Sequence, residues 1–117
     1  VWADPDRLDQ VLGNLMENAV RHGEGTVSLT VAPTGQNGAE AVAVTISDEG
    51  EGIAPENYPM IFTRFWHRSH RGGTGLGLYV VRGLVEAHGG QVSVGKAESG
   101  GAEFRFTLPA GAPESAI

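Results

Sequence analysis

The stretch GGTGLGL, residues 72–78, holds four glycines in seven positions, and the ten residues after it, YVVRGLVEAH, read as a helix. Glycine loses the most backbone freedom on ordering, so it is a poor residue with which to start a packed helix. A chemical reason for it exists. N–H groups at a helix start are unpaired and carry the positive end of the dipole. Glycines at 72, 73, 75 and 77 remove the side chains that would hold an anion away. Just upstream, Arg64, His67, Arg68, His70 and Arg71 make the one dense basic cluster in a chain of net charge −6. The pattern fits a polyphosphate cradle with a lid; on its own it also fits a surface hinge. It is not the P-loop, which needs Lys-Ser or Lys-Thr after its last glycine, and the single lysine is Lys96.

Working outward, residues 4–22, DPDRLDQVLGNLMENAVRH, predict a long helix. Asp4 suits the N-cap and Pro5 the first helical position. Leu8, Val11, Leu12, Leu15 and Ala19 recur at helical spacing and should face the core. Gly23 and Gly25 are stop signals. Residues 26–32 and 41–48 read as strands, the second nearly all apolar and therefore central, with a turn over 34–38. Short helical turns are expected over 56–65, a basic loop over 66–71 and a second helix over 74–88. Residues 91–97 and 102–109 read as an antiparallel pair joined by a turn at 98–101. The expected fold class is α/β: a two-layer α/β sandwich, with a mixed sheet covered on one face by the two helices. The other face should stay polar or meet a partner. Residues 110–117 are expected to form a flexible tail.

The length of 117 residues suits one domain with a modest core. With no cysteine there is no disulfide, thiolate metal site or cysteine nucleophile. The acidic balance argues against nucleic-acid binding. No apolar run is long enough to cross a bilayer.

Two further constellations stand apart from packing. Asn14, Asn18 and Arg21 share one stripe of the first helix at i, i+4 and i+7. Asparagine is a mediocre helix former, and an amide oxygen is a hard neutral ligand suited to Mg²⁺ already carrying phosphate charge. Arg21 or His22 could reach the phosphates. The stripe is equally compatible with a solvated polar face. The second is DEGEGI, residues 48–53. Asp48 closes an apolar strand, and Gly50 and Gly52 allow backbone to pack against a flat ligand. A carboxylate there can accept from an exocyclic amine, which would select adenine. An ordinary turn with Asp at its first position is the plainer alternative.

The order of these signals is more specific than any one of them. An asparagine helix, D-x-G-x-G-I, an aromatic segment and GTGLGL together resemble the catalytic ATP-binding domain of sensor histidine kinases. That domain shares the Bergerat ATP-binding fold with gyrase B, Hsp90 and MutL. NLMENAVRH resembles the N box, DEGEGI the G1 box, IFTRFWH (61–67) the F box and GGTGLGLYVV the G2 box. The resemblance runs from about residue 2 to Pro109, so 1–109 reads as the domain.

What the resemblance implies is position-specific. Asn18, together with Asn14, would hold Mg²⁺ on the phosphates of ATP. Arg21 would contact phosphate and His22 would lie beside the nucleotide. Asp48 would accept from the adenine amine, with Gly50, Gly52 and Ile53 about the base. Phe62 and Phe65 would anchor the lid, and Arg68 would share in phosphate contact. Gly73, Thr74, Gly75, Leu76, Gly77 and Leu78 would present backbone to the phosphates. Thr107, taken as lying near Asp48 on the last strand, would help bind adenine.

The departures carry meaning. The gyrase-like relatives have a glutamate where Asn14 stands, and an amide is no general base, so efficient hydrolysis is not expected. Glu17 lies about 100° round the helix from Asn18. The lid is short, and the second arginine of the F box is His67 here. No histidine sits in the phosphoacceptor motif, and the strand that precedes the N box is reduced to residues 1–3. The resemblance therefore implies a fragment of a larger or split kinase, cytoplasmic, soluble and monomeric by itself. Its partners would be a histidine-bearing dimerisation domain, in the same or another chain, and a response regulator. Other readings are an anti-sigma-factor serine kinase, a nucleotide-responsive clamp, and a degenerate docking domain.

Overall fold

The computed structural model describes residues 4–22, 24–36, 39–64, 66 and 76–109, with backbone alone for residues 21, 22, 36 and 39. The first helix, α1, spans Pro5–His22. Its start is capped as the sequence predicts: the Asp4 carboxylate accepts from the Asp6 N–H at 2.9 Å and the Arg7 N–H at 3.4 Å. Val11, Leu15 and Ala19 are buried, and Leu8, Leu12 and Met16 pack beside them half-buried.

Four strands form one sheet: β1 (Ser28–Gln36), β2 (Ala39–Ser47), β3 (Val92–Lys96) and β4 (Ala102–Pro109), in the order β1-β2-β4-β3. The first hairpin is longer than the sequence reading. Gln36 pairs with Ala39, so Thr34 and Gly35 belong to β1, and residues 37 and 38 lie outside the described residues. Pro33 is tolerated inside β1 because β1 is an edge strand. The second helix, α2, spans Gly77–Ala87, against the expected 74–88.

Among the described residues the sheet is antiparallel throughout, not mixed. The reason is topological. The crossover through α2 does return the chain to a strand running parallel to β2, but that strand is β3, at the far edge. The hairpin that follows inserts β4 between them, so each neighbouring pair is antiparallel.

Alternation along β2 and β4 builds the core. Val44 pairs with Phe106 and Ile46 with Phe104, all four buried on the face that meets Val11, Leu15, Val81 and Val85 of the helices. The two helices therefore cover one face, as expected. The opposite face carries a polar row, Thr30–Thr45–Arg105–Ser93, in register across all four strands.

Two contacts fix the helices against each other. The Asp4 N–H donates to His88 Nε2 at 3.2 Å, while His88 Nδ1 meets the Leu84 carbonyl at 2.8 Å. One imidazole thus joins the start of α1 to the end of α2. Eleven residues back along α2, the Gly77 carbonyl accepts from Asn14 Nδ2 at 3.3 Å. The helices are thus antiparallel. Among the described residues, no helix is long and apolar enough to cross a membrane.

Phe104 is fully buried at the centre of this packing. Phe104→Ala should cost about 3–5 kcal/mol, and Asp4→Ala only about 1 kcal/mol for the lost cap. Urea unfolding of the two variants should separate them in that order.

Candidate functional site

The site forms where α1, β2 and the turn between β3 and β4 end together. Asp48 follows the last residue of β2 and is 2% exposed. Its N–H extends the ladder with β4, donating to the Ala102 carbonyl at 3.1 Å. Its own carbonyl accepts from Ser99 Oγ at 2.8 Å. One carboxylate oxygen, Oδ1, accepts from the Gly50 N–H at 2.8 Å. The other oxygen, Oδ2, makes no hydrogen bond to any described residue. A buried acceptor left unmatched costs about 1–3 kcal/mol, which a donor on a bound molecule would recover.

The backbone is cut close around this carboxylate. A Cβ on Gly101 would overlap both the carbonyl and the carboxylate of Asp48, so no larger residue fits there without moving it. Gly52 lies against the backbone of Gly100 and Gly101. Ser99 and Gly101 are site residues that sequence reasoning missed. ESGG at 98–101 was legible as a turn, but nothing local says that the turn folds back onto Asp48.

The two asparagines differ. Asn14 spends its amide N–H on α2. Asn18, one turn further along α1 and half-buried, makes no hydrogen bond to any described residue. Arg21 and His22 fall in the last turn of the helix. Glu17 is exposed. Among the described residues, no three His, Cys, Asp or Glu side chains group closely enough to hold a metal ion. The donors available to a cation here are neutral amides.

Leu76 is the N-cap of α2 and supplies no side-chain cap. Leu78 packs half-buried against the core. At Gly77 an added Cβ would meet nothing within 4 Å, so protein packing does not explain that glycine. Ile53 and Phe62 are both core residues, and Phe62 meets Phe104 edge to face with ring centroids 6.3 Å apart. This roots the aromatic segment. Arg64 stacks over the Tyr79 ring of α2 at 5.8 Å. Phe65, Arg68, Gly73, Thr74 and Gly75, also nominated from sequence, lie outside the described residues.

Thr107 is a correction. It pairs with Ala43, five residues along β4 from the Ala102 that meets Asp48, or about 17 Å at strand rise. Its hydroxyl accepts from the Gln91 N–H at 3.2 Å, and it holds the start of β3 rather than flanking Asp48.

Residues 3–112 match the family described as histidine kinase-, DNA gyrase B-, and HSP90-like ATPase. The chain belongs to that family. It is 42% identical over 109 residues to the sensor histidine kinase ZraS of Salmonella typhi, covering 93% of this chain and 23% of that protein. It is 38% identical over 116 residues to the sensor histidine kinase component HK1 of Mycobacterium tuberculosis, covering 97% of this chain and 67% of that one. Among solved structures it resembles the mycobacterial sensor histidine kinase MprB, with TM-score 0.76 and 27% identity over 92% of this chain and 72% of that one. It also resembles full-length ShkA in complex with AMPPNP, with TM-score 0.70 and 36% identity over 92% of this chain and 23% of that one. The chain thus spans about a quarter of the length of its ZraS relative.

The open space at Gly77 gives a direct test. Gly77→Val should leave unfolding free energy within about 0.5 kcal/mol of wild type, measured by denaturant titration. A larger loss would show that packing does require this glycine.

Proposed function

We propose that this chain binds ATP with Mg²⁺ and donates the γ-phosphate to a histidine on a separate dimerisation domain, as the catalytic domain of a two-component sensor kinase. The observation that carries the reading is the Asp48 carboxylate: buried, with one oxygen held by the Gly50 N–H and the other unmatched among the described residues, on a residue whose main chain is tied to Ala102 and Ser99. An adenine amine supplies the missing donor. Gly50 and Gly52 carry no side chain and so leave room for the base against the loop backbone, and Ile53 backs the loop from the core. The ZraS and HK1 relatives and the AMPPNP complex of ShkA support the same assignment.

In this reading the phosphates lie toward the start of α2, where Leu76 is the N-cap and the first-turn N–H groups of Gly77 and Leu78 have no partner within the helix. Gly73, Thr74 and Gly75 would continue that cradle, with Arg21, His22 and Arg68 adding charge. Asn18 would hold Mg²⁺, and Asn14, tied to α2 through its N–H, keeps its amide oxygen for the same ion. The amide donors fit a cation that arrives with phosphate oxygens already bound. That ion would neutralise charge on the transferred group.

Phosphoryl transfer asks the protein mainly for positioning and charge stabilisation. This chain would supply both, and the α1 position that would carry a base for water holds an amide, Asn14, with Glu17 exposed to one side. The attacking nitrogen comes from the partner's imidazole, which takes the phosphoryl group as ADP leaves. Residues 1–109 would form the nucleotide-binding domain, 110–117 a tail, and a response regulator would receive the phosphoryl group. In this reading the domain works in the cytoplasm, where ATP and Mg²⁺ are at hand.

Calorimetric titration with ADP and AMPPNP, with and without Mg²⁺ and with GTP as control, tests the reading. Saturable, adenine-selective, Mg²⁺-assisted binding is expected; no binding by a folded sample would leave a non-catalytic docking domain. Asp48→Ala should weaken AMPPNP binding by about 5- to 150-fold and erase the preference over GTP. Asn18→Ala should remove the Mg²⁺ dependence, and metal dependence that survives would reassign the ligand.

A further inference from the structure

Glu49 stands between Asp48 and Gly50, yet its side chain turns away from both. Its Oε1 accepts from the Thr26 N–H at 2.6 Å, and its own N–H donates to the Glu24 carbonyl at 2.9 Å. Residues 24–26 are the segment by which the chain leaves α1. Gly25, between those two contacts, has φ of +68°, and a Cβ there would overlap the Glu49 carboxylate. The segment is therefore bent around this side chain. The strand ladder begins only at Ser28, so Thr26 has no strand partner for its N–H, and the carboxylate satisfies it. Glu49 is exposed, so burial in the core does not account for the arrangement.

We propose that Glu49 is a positioning residue that fixes the spacing between Asp48 and the Asn18 end of α1. The inference rests on the nucleotide-binding reading above. A nucleotide gripped by its base at Asp48 and by its phosphates near α1 and α2 must find both grips at one separation. When that separation is held in advance, the second contact forms without a further ordering cost. Glu49 holds it with one backbone and one side-chain hydrogen bond across the same gap. Losing the side-chain bond leaves each half intact and uncouples them. The signature is selective: a ligand that uses both halves weakens, while one that uses only the base pocket does not.

The test compares wild type, Glu49→Ala, Glu49→Gln and Gly25→Ala as the whole chain. ADP and Mg²⁺-AMPPNP are titrated by calorimetry, and adenosine by amide chemical shifts. Glu49→Ala should bind ADP about five- to tenfold more weakly, the factor one charge-assisted hydrogen bond carries at a partly solvated site, with adenosine affinity unchanged. Glu49→Gln keeps an amide oxygen for Thr26 and should restore ADP binding. Gly25→Ala should copy Glu49→Ala, and the double variant should be no weaker than Glu49→Ala alone. Wild-type ADP affinity in Glu49→Ala overturns the inference, as does an equal loss for ADP and adenosine, which would mean general loosening. A wild-type chain that binds no nucleotide overturns the parent reading, and this inference with it.

Discussion

The hydrogen-bond ladder between β2 and β4 carries both the core and the site. It sets Val44 against Phe106 and Ile46 against Phe104, which gives the helices an apolar floor. One step past the last strand residue, the same ladder takes in Asp48 through the Ala102 carbonyl. The carboxylate is thus placed by the most deeply packed strand pair in the molecule, not by a free loop. The turn before β4 then closes over it from the other side, through Ser99 and Gly101. A carboxylate anchored this way is held to one position, because the strand end and the turn on either side of it would have to move with it.

Much of this was legible in the sequence because it rests on local rules. The cap at Asp4, the apolar stripe of α1 and the central character of β2 follow from spacing and residue type alone, and all are found. The four motifs, read in order, led to the family. What could not be read depends on contacts between distant segments. The sequence reads the first strand as ending at residue 32, and only the edge position of β1 makes Pro33 acceptable within it. The sheet looked mixed because a helix joins two strands of the same direction; that β4 slips between them is a property of the whole sheet. Thr107 shares a strand with the residues beside Asp48, but strand rise carries it far away. Ser99 and Gly101 gave no sign of their role, since the turn that holds them has ordinary turn composition.

The glycines divide into two kinds that the sequence could not separate. Gly101 is fixed by the protein, since a side chain there would collide with Asp48. Gly77 faces open space and is fixed by nothing within the described residues. The asparagines divide similarly: Asn14 serves partly as a link between helices, while the Asn18 amide bonds to none of the described residues. Open space is shared by Gly13, Gly83 and Gly95, so what sets Gly77 apart is its place as the first residue of α2.

The antiparallel helices are pinned at two points. His88 joins α2 to the start of α1, and Asn14 joins the first residue of α2 to the middle of α1. A pair of rods fastened at both ends resists swinging about either fastening. Sliding α2 along α1 would break the same two hydrogen bonds. In mechanical terms the helix pair is a brace with two rivets rather than a hinge.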